Sequence, residues 1–150
     1  MYDFRQLSPA DVEDLSRDLL QKEWGVRLEA FKTGRDQGID LRYAVVPRQA
    51  TIVQSKHYIG STVAKLVREL RVKEMPKVVR LHPTCYVLVT TLPLSPADKD
   101  KFLAVLPPYT RTPQDVLGAE DLNNLLVVGG GEKGYQNGGE VVPCQESCSE

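Results

Sequence analysis

Cys85-Tyr86-Val87-Leu88-Val89-Thr90-Thr91 is an almost unbroken run of apolar and β-branched residues. A strand with one face in water alternates polar and apolar positions, and this run does not. It reads as a central strand buried on both faces, so the chain must supply a sheet and helices to cover both sides of it. The 150 residues, 41% hydrophobic and 26% charged, suffice for one domain with a sizeable core and are too few for two full domains with a linker.

The remaining elements follow from local signals. Ser8-Pro9-Ala10-Asp11 is a helix start, with a capping serine, a proline suited to the first helical position and an acid at the positive end. Val12, Leu15, Leu19 and Leu20 recur at helical spacing to about Glu23, and Gly25 ends the helix. Strands are expected at Val26–Phe31, at Ile39–Val46 and at Ala50–Tyr58, with a polar turn from Thr33 to Gly38. Ser61 caps a second helix carrying the apolar stripe Val63, Leu66, Val67 and Leu70, ending near Met75-Pro76. The apolar run follows, and Ser95-Pro96-Ala97-Asp98 starts a third helix that reaches about Leu106. A short helix is expected from Ala119 to Leu126.

The order α-β-β-β-α-β-α implies a mixed α/β sheet flanked by helices, with the third and fourth strands parallel across a right-handed helical crossover. We expect a core domain over residues 1–110, a short helical extension over 111–128 and a glycine-rich, weakly ordered tail over 129–150. Gly129, Gly131 and Gly134 fit GxGxxG, but turn chemistry follows where the phosphate cradle needs a helix. No apolar run approaches the ~20 residues of a membrane span, and the N-terminus, with Asp3 and Arg5, lacks the apolar region of a signal peptide. Three cysteines are too few for a disulfide scaffold, which points to a reducing, cytoplasmic setting. Cys144 and Cys148 have no nearby partners to complete a zinc site.

Charge is unevenly spread. The formal net charge is −1, yet Arg42 to Arg80 holds nine basic residues against Glu69 and Glu74. Such a stretch suits phosphate backbones, although a solvated helix face has the same composition.

Four residues call for a chemical explanation. Glu13 falls at about 100° from Val12 on the first helix, at the edge of the apolar arc between Leu20 and Trp24. A carboxylate there needs a metal or a partner, and Arg17, four residues on, is the plain alternative. Asp40 sits at a strand start, where aspartate is disfavoured unless it caps a turn or holds a ligand. Gln54 and Lys56 are two apart on a strand, so both leave the same face, which is either a site or simply the solvent side. Together, Asp40 and Gln54 offer oxygens for a hard cation such as Mg²⁺ or Mn²⁺, which Glu13 can complete. Such an ion polarises a phosphoryl oxygen and acidifies a bound water, and Lys56 would orient that water or offset the developing charge. His57 leaves the opposite strand face and reads as structural.

Glu13, Gly34-Arg35-Asp36-Gln37-Gly38-Ile39-Asp40 and Ile52-Val53-Gln54-Ser55-Lys56-His57-Tyr58, in that order, resemble the Mrr-like branch of the PD-(D/E)XK nuclease superfamily. The resemblance covers roughly Tyr2 to Leu106 and implies a restriction-endonuclease-like α-β-β-β-α-β core. It further implies a metal-dependent endonuclease acting on double-stranded DNA. Asp40 and Gln54 match metal-site positions, the Ser55 backbone carbonyl a further metal ligand, Lys56 the catalytic lysine and Glu13 the helix glutamate. Arg35, Lys65 and Arg68 are expected to contact backbone phosphates.

Phe4–Pro9, Gln54–Tyr58 and Gly118–Leu126 are also similar to the N-terminal nuclease domains of antiphage NTPases of the STAND class. That implies a role in restriction or antiphage defence, an NTPase or sensor region as partner, and a homo-oligomer for double-strand cleavage. A non-catalytic nucleic-acid-binding module on the same fold and a protein-interaction domain are the competing readings.

Overall fold

The computed structural model describes residues 2–30, 41–44, 50–57 and 60–129. A five-stranded sheet forms the middle layer, in the order β1 (Glu29–Ala30), β2 (Leu41–Ala44), β3 (Ala50–Lys56), β4 (Cys85–Thr90), β5 (Val116–Leu117). The first three strands are antiparallel neighbours, while β3, β4 and β5 run parallel. The sheet is therefore mixed, and β3 and β4 are parallel as their helical connection requires.

Every residue of β4 is buried, because helices cover both faces. On one side α1 (Pro9–Trp24) and α5 (Ala119–Gly129) pack Leu19, Leu20, Trp24 and Leu122 against Val53, Cys85, Val87 and Val89. On the other, α2 (Val63–Glu69), α3 (Met75–Leu81), the turn between them and α4 (Pro96–Val105) pack Leu66, Leu70, Val78 and Phe102 against Ile52, Tyr86 and Leu88. The alternation along β3 thus sends Ile52, Gln54 and Lys56 toward α2 and α3, and Val53 and Ser55 toward α1.

The helix starts form as their sequences dictate. The Ser8 hydroxyl accepts from the Asp11 N–H at 3.1 Å while the Asp11 carboxylate accepts from the Ser8 N–H at 3.0 Å. Ser95 and Asp98 repeat this at the start of α4. Gly25 ends α1 with φ 66°, a conformation that glycine adopts without a Cβ clash.

Several boundaries differ from the sequence expectation. The first strand begins at Glu29 and not at Val26, with Phe31 outside the described residues, and β3 stops at Lys56. Of the second strand, Leu41–Ala44 is described and its flanks lie outside the described residues. The strand β5 has only two residues, too short for any periodicity to announce it. The second helix does not end at Pro76. It passes through a π-helical turn, Leu70–Glu74, and continues as α3. Pro76 has no N–H and its ring crowds the carbonyl four residues back, so a regular α-helix cannot continue through it. The chain widens instead, and the Met75 N–H bonds Leu70 O, five residues back.

Cys85 is disulfide-bonded, whereas the low cysteine count points to a reducing setting. Among the described residues, no helix is long and apolar enough to cross a membrane. The glycine-rich segment 130–150, with its GxGxxG pattern and two cysteines, lies outside the described residues.

Candidate active site at the end of β3

Gln54 and Lys56 leave β3 side by side and meet a third residue, Glu74, at the end of the π-helical turn. Glu74 is 4% exposed and Gln54 2%. The Lys56 ammonium donates to Glu74 Oε1 at 2.8 Å, and Gln54 Nε2 donates to Glu74 Oε2 at 3.0 Å. Lys77 approaches Oε2 at 3.8 Å. The Tyr86 hydroxyl, from β4, donates to Gln54 Oε1. The amide orientation follows from this network: the carboxylate only accepts, so it takes Nε2 and leaves Oε1 for the hydroxyl.

Burial pushes the Glu74 carboxyl pKa up, but the hydrogen bonds from Lys56 and Gln54, with the charges of Lys56 and Lys77, outweigh it. The pKa is held below its ordinary value of 4.5. The folded protein therefore binds this proton more weakly than the unfolded chain does. Glu74 contributes stability that is present above about pH 4.5 and is lost as pH falls through its depressed value. The urea midpoints of wild type and Glu74→Gln, followed from pH 7 to pH 3, are expected to converge toward acid; a constant difference would contradict this account.

Glu13 lies on α1, which covers the opposite face of the sheet from Gln54 and Lys56. It is brought near the same strand end because α1 starts there. His57 Nε2 bonds the Leu7 carbonyl at 2.7 Å, and Nδ1 pairs with the Thr91 hydroxyl at 2.8 Å. A carbonyl only accepts, so Nε2 carries a hydrogen and donates, and His57 ties the segment leading into α1 to the ends of β3 and β4. Partial burial raises the Glu13 pKa, Asp14 adds to the rise, and the nearby Lys56 charge opposes it. The expected alternative for Glu13, a pair with Arg17, does not form. Arg17 turns to Asp14 at 3.5 Å and Asp18 at 3.8 Å instead.

Ser55 lies between Gln54 and Lys56 with its side chain toward α1. Its hydroxyl is buried and has no hydrogen-bond partner among the described residues. Lys65 and Arg68 are exposed on α2. Asp40 and Arg35 lie outside the described residues.

The structure thus joins Gln54 and Lys56 through Glu74, sets Glu13 within electrostatic reach of Lys56, and adds Glu74 and Tyr86, which the sequence reading does not include. Glu74 had a signal. Leu66, Leu70, Glu74 and Val78 recur every four residues and are all buried, with the extra residue of the π turn keeping them on one face. It is also one of only two acids in the basic stretch from Arg42 to Arg80.

The donor types suit a hard divalent cation in their chemistry: an amide oxygen, a strand carbonyl and a half-buried carboxylate. The orphaned Ser55 hydroxyl is a further buried oxygen at the same strand end. Among the described residues there is no cluster of three or more His, Cys, Asp or Glu that could hold a metal unaided.

A family model described as restriction endonuclease matches residues 4–99, which contain all of α1 through β4. A protein of Sinorhizobium fredii (strain NBRC 101917 / NGR234), called uncharacterized protein y4cD, is 45% identical over 125 residues. That alignment takes in 83% of this chain and 19% of the relative, so the chain spans about a fifth of that protein's length. No solved structure matches.

Proposed function

This chain belongs to the Mrr-like restriction endonuclease family, and from that premise we propose that it is a metal-dependent endonuclease hydrolysing phosphodiester bonds of double-stranded DNA. The observation that carries the reading is the pairing of Gln54 and Lys56 on one face of β3, held by Glu74 at the strand end and inside the matched segment. Ligands of open α/β sheets gather outside the carboxyl ends of parallel strands, and β3 and β4 end together here.

In this reading Asp40, Gln54, the Ser55 carbonyl and Glu13 would hold Mg²⁺ or Mn²⁺, which would supply Lewis-acid polarisation of a phosphoryl oxygen. Lys56 places its ammonium beside the attacked phosphate, orients the attacking water and offsets charge as it develops on the phosphate oxygens. Glu13 would complete that site or bind its water. The rigid β3 backbone fixes the spacing of Gln54 and Lys56, which keeps the ligand and the ammonium in one geometry.

DNA would lie along the exposed basic face of α2 and the turn that follows. Lys65, Arg68 and Arg71 recur every three residues and are exposed there, and we also assign Arg35 to phosphate contact. Lys65→Ala/Arg68→Ala is expected to weaken duplex binding equally across sequences and to reduce the slope of log K against log salt by about 2. Fluorescence anisotropy with two unrelated duplexes from 50 to 300 mM salt reads this directly. An unchanged slope would remove α2 from the DNA interface.

Cutting both strands calls for two active sites, so we propose a homo-oligomer as the working state. The relative is far longer than the aligned region, which supports reading this unit as the nuclease effector of a larger restriction or antiphage protein with an NTPase or sensor region. The proposed activity is tested by incubating a labelled duplex with the chain and Mg²⁺ or Mn²⁺. Cleavage that stops on chelation supports it. Salt-dependent binding without cleavage would favour a non-catalytic DNA-binding module, and the absence of both an interaction domain.

A further inference from the structure

We propose that Glu74 is a positioning residue for this cleavage reaction, setting both the Lys56 ammonium and the Gln54 amide. The inference rests on the nuclease reading above. Gln54 is neutral, so the strand itself offers no carboxylate beside the Lys56 ammonium; Glu74 brings one in from the π-helical turn. Each of its oxygens has a separate task. Oε1 accepts from Lys56 at 2.8 Å and Oε2 accepts from Gln54 Nε2 at 3.0 Å.

The second contact decides which way the amide faces. Rotating the amide by 180° would set its oxygen against a carboxylate oxygen, which only accepts. Glu74 and Tyr86 therefore fix which end of the amide is the acceptor, with Nε2 on the carboxylate and Oε1 on the hydroxyl. Groups that orient a ligand from outside are as consequential as the ligand itself.

Burial argues for this role over a purely structural one. A buried carboxylate–ammonium pair contributes little stability compared with apolar residues of the same volume. Glu74 nonetheless occupies a position between Leu70 and Val78 in an otherwise apolar stripe. The π turn that carries it departs from regular helix at the point where the side chain faces the site.

The test compares wild type, Glu74→Gln and Glu74→Asp, using the whole chain. Three readouts are taken: Mn²⁺ affinity by calorimetry without DNA, kcat and KM on a duplex, and the thermal midpoint. Glu74→Gln is expected to leave KM within about two-fold and to lower kcat and Mn²⁺ affinity by about 10- to 100-fold. Glu74→Asp, shorter but charged, is expected to recover part of kcat and to bind Mn²⁺ more tightly than Glu74→Gln. If wild type cleaves and Glu74→Gln matches it in kcat and Mn²⁺ affinity within two-fold, the positioning role is overturned. It is likewise overturned if both variants lose activity only in proportion to their thermal midpoints. A wild-type chain that binds DNA and Mn²⁺ without cleaving overturns the nuclease reading itself; in that case the calorimetry still reports separately whether Glu74 sets Gln54.

Discussion

Lys56→Ala is expected to lower the rate of metal-dependent DNA cleavage by at least about 100-fold while duplex binding stays within a few-fold, the scale seen when one group stabilising transition-state charge is removed. The Lys56 side chain is 17% exposed and its ammonium is held by Glu74 at 2.8 Å, so it is a fixed charge at a fixed place. A fixed charge aimed where charge develops lowers the barrier without reorganising, which a mobile surface lysine cannot do. Binding depends instead on many phosphate contacts, of which Lys56 is at most one. Single-turnover cleavage and anisotropy on the same duplex separate the two effects. Equal losses in both would make Lys56 a binding residue, and near-normal cleavage would remove it from the reaction.

Glu74→Ala is expected to be among the most destabilising single substitutions in the chain, at about 3 kcal/mol. The variant takes the acceptor of Gln54 Nε2 away and leaves a largely buried ammonium without its carboxylate. The figure sits at the low end for a broken buried pair because Lys56 retains some contact with water. Removing both charges together should behave differently. Lys56→Met/Glu74→Leu fills the same volume with apolar atoms and is expected to recover the part of the loss due to the unpaired ammonium in urea unfolding, while the Gln54 Nε2 acceptor stays lost and the variant remains inactive. That combination, stable and inert, would mark the pair as kept for chemistry. A double variant less stable than either single variant would contradict the account.

Much of the fold was legible because its signals are local. Ser8-Pro9-Ala10-Asp11 and Ser95-Pro96-Ala97-Asp98 each form the reciprocal cap their residues allow. The run from Cys85 to Thr90 is buried on both faces, as its lack of alternation requires. What escaped depends on distant or irregular structure. Pro76 reads as a helix end because proline ends regular helices; the π turn that lets the chain pass it has no period of its own. Without that turn there was no reason to place Glu74 beside Gln54.

The candidate site shows the same division. The spacing of Gln54 and Lys56 on a strand put them on one face, and they are found side by side. Glu13 was placed at the border of the apolar arc by helical angle alone and is half-buried there. The choice between Arg17 and a site for Glu13 needed the actual ion pairs, which give Arg17 to Asp14 and Asp18. Tyr86 looked like one more residue of an apolar strand; its hydroxyl matters only because β3 and β4 are parallel in the register that brings Gln54 within reach.

The central claim is that this chain cuts DNA with a bound divalent cation, and plasmid cleavage tests it most directly. Supercoiled plasmid is incubated at low salt with Mg²⁺ or Mn²⁺, with and without EDTA, using wild type and Asp40→Ala at high protein concentration. The account predicts nicking or linearisation by wild type that disappears with EDTA and in Asp40→Ala. Plasmid left intact by a folded, DNA-binding wild type in the presence of metal would contradict it, as would cleavage that persists in both controls.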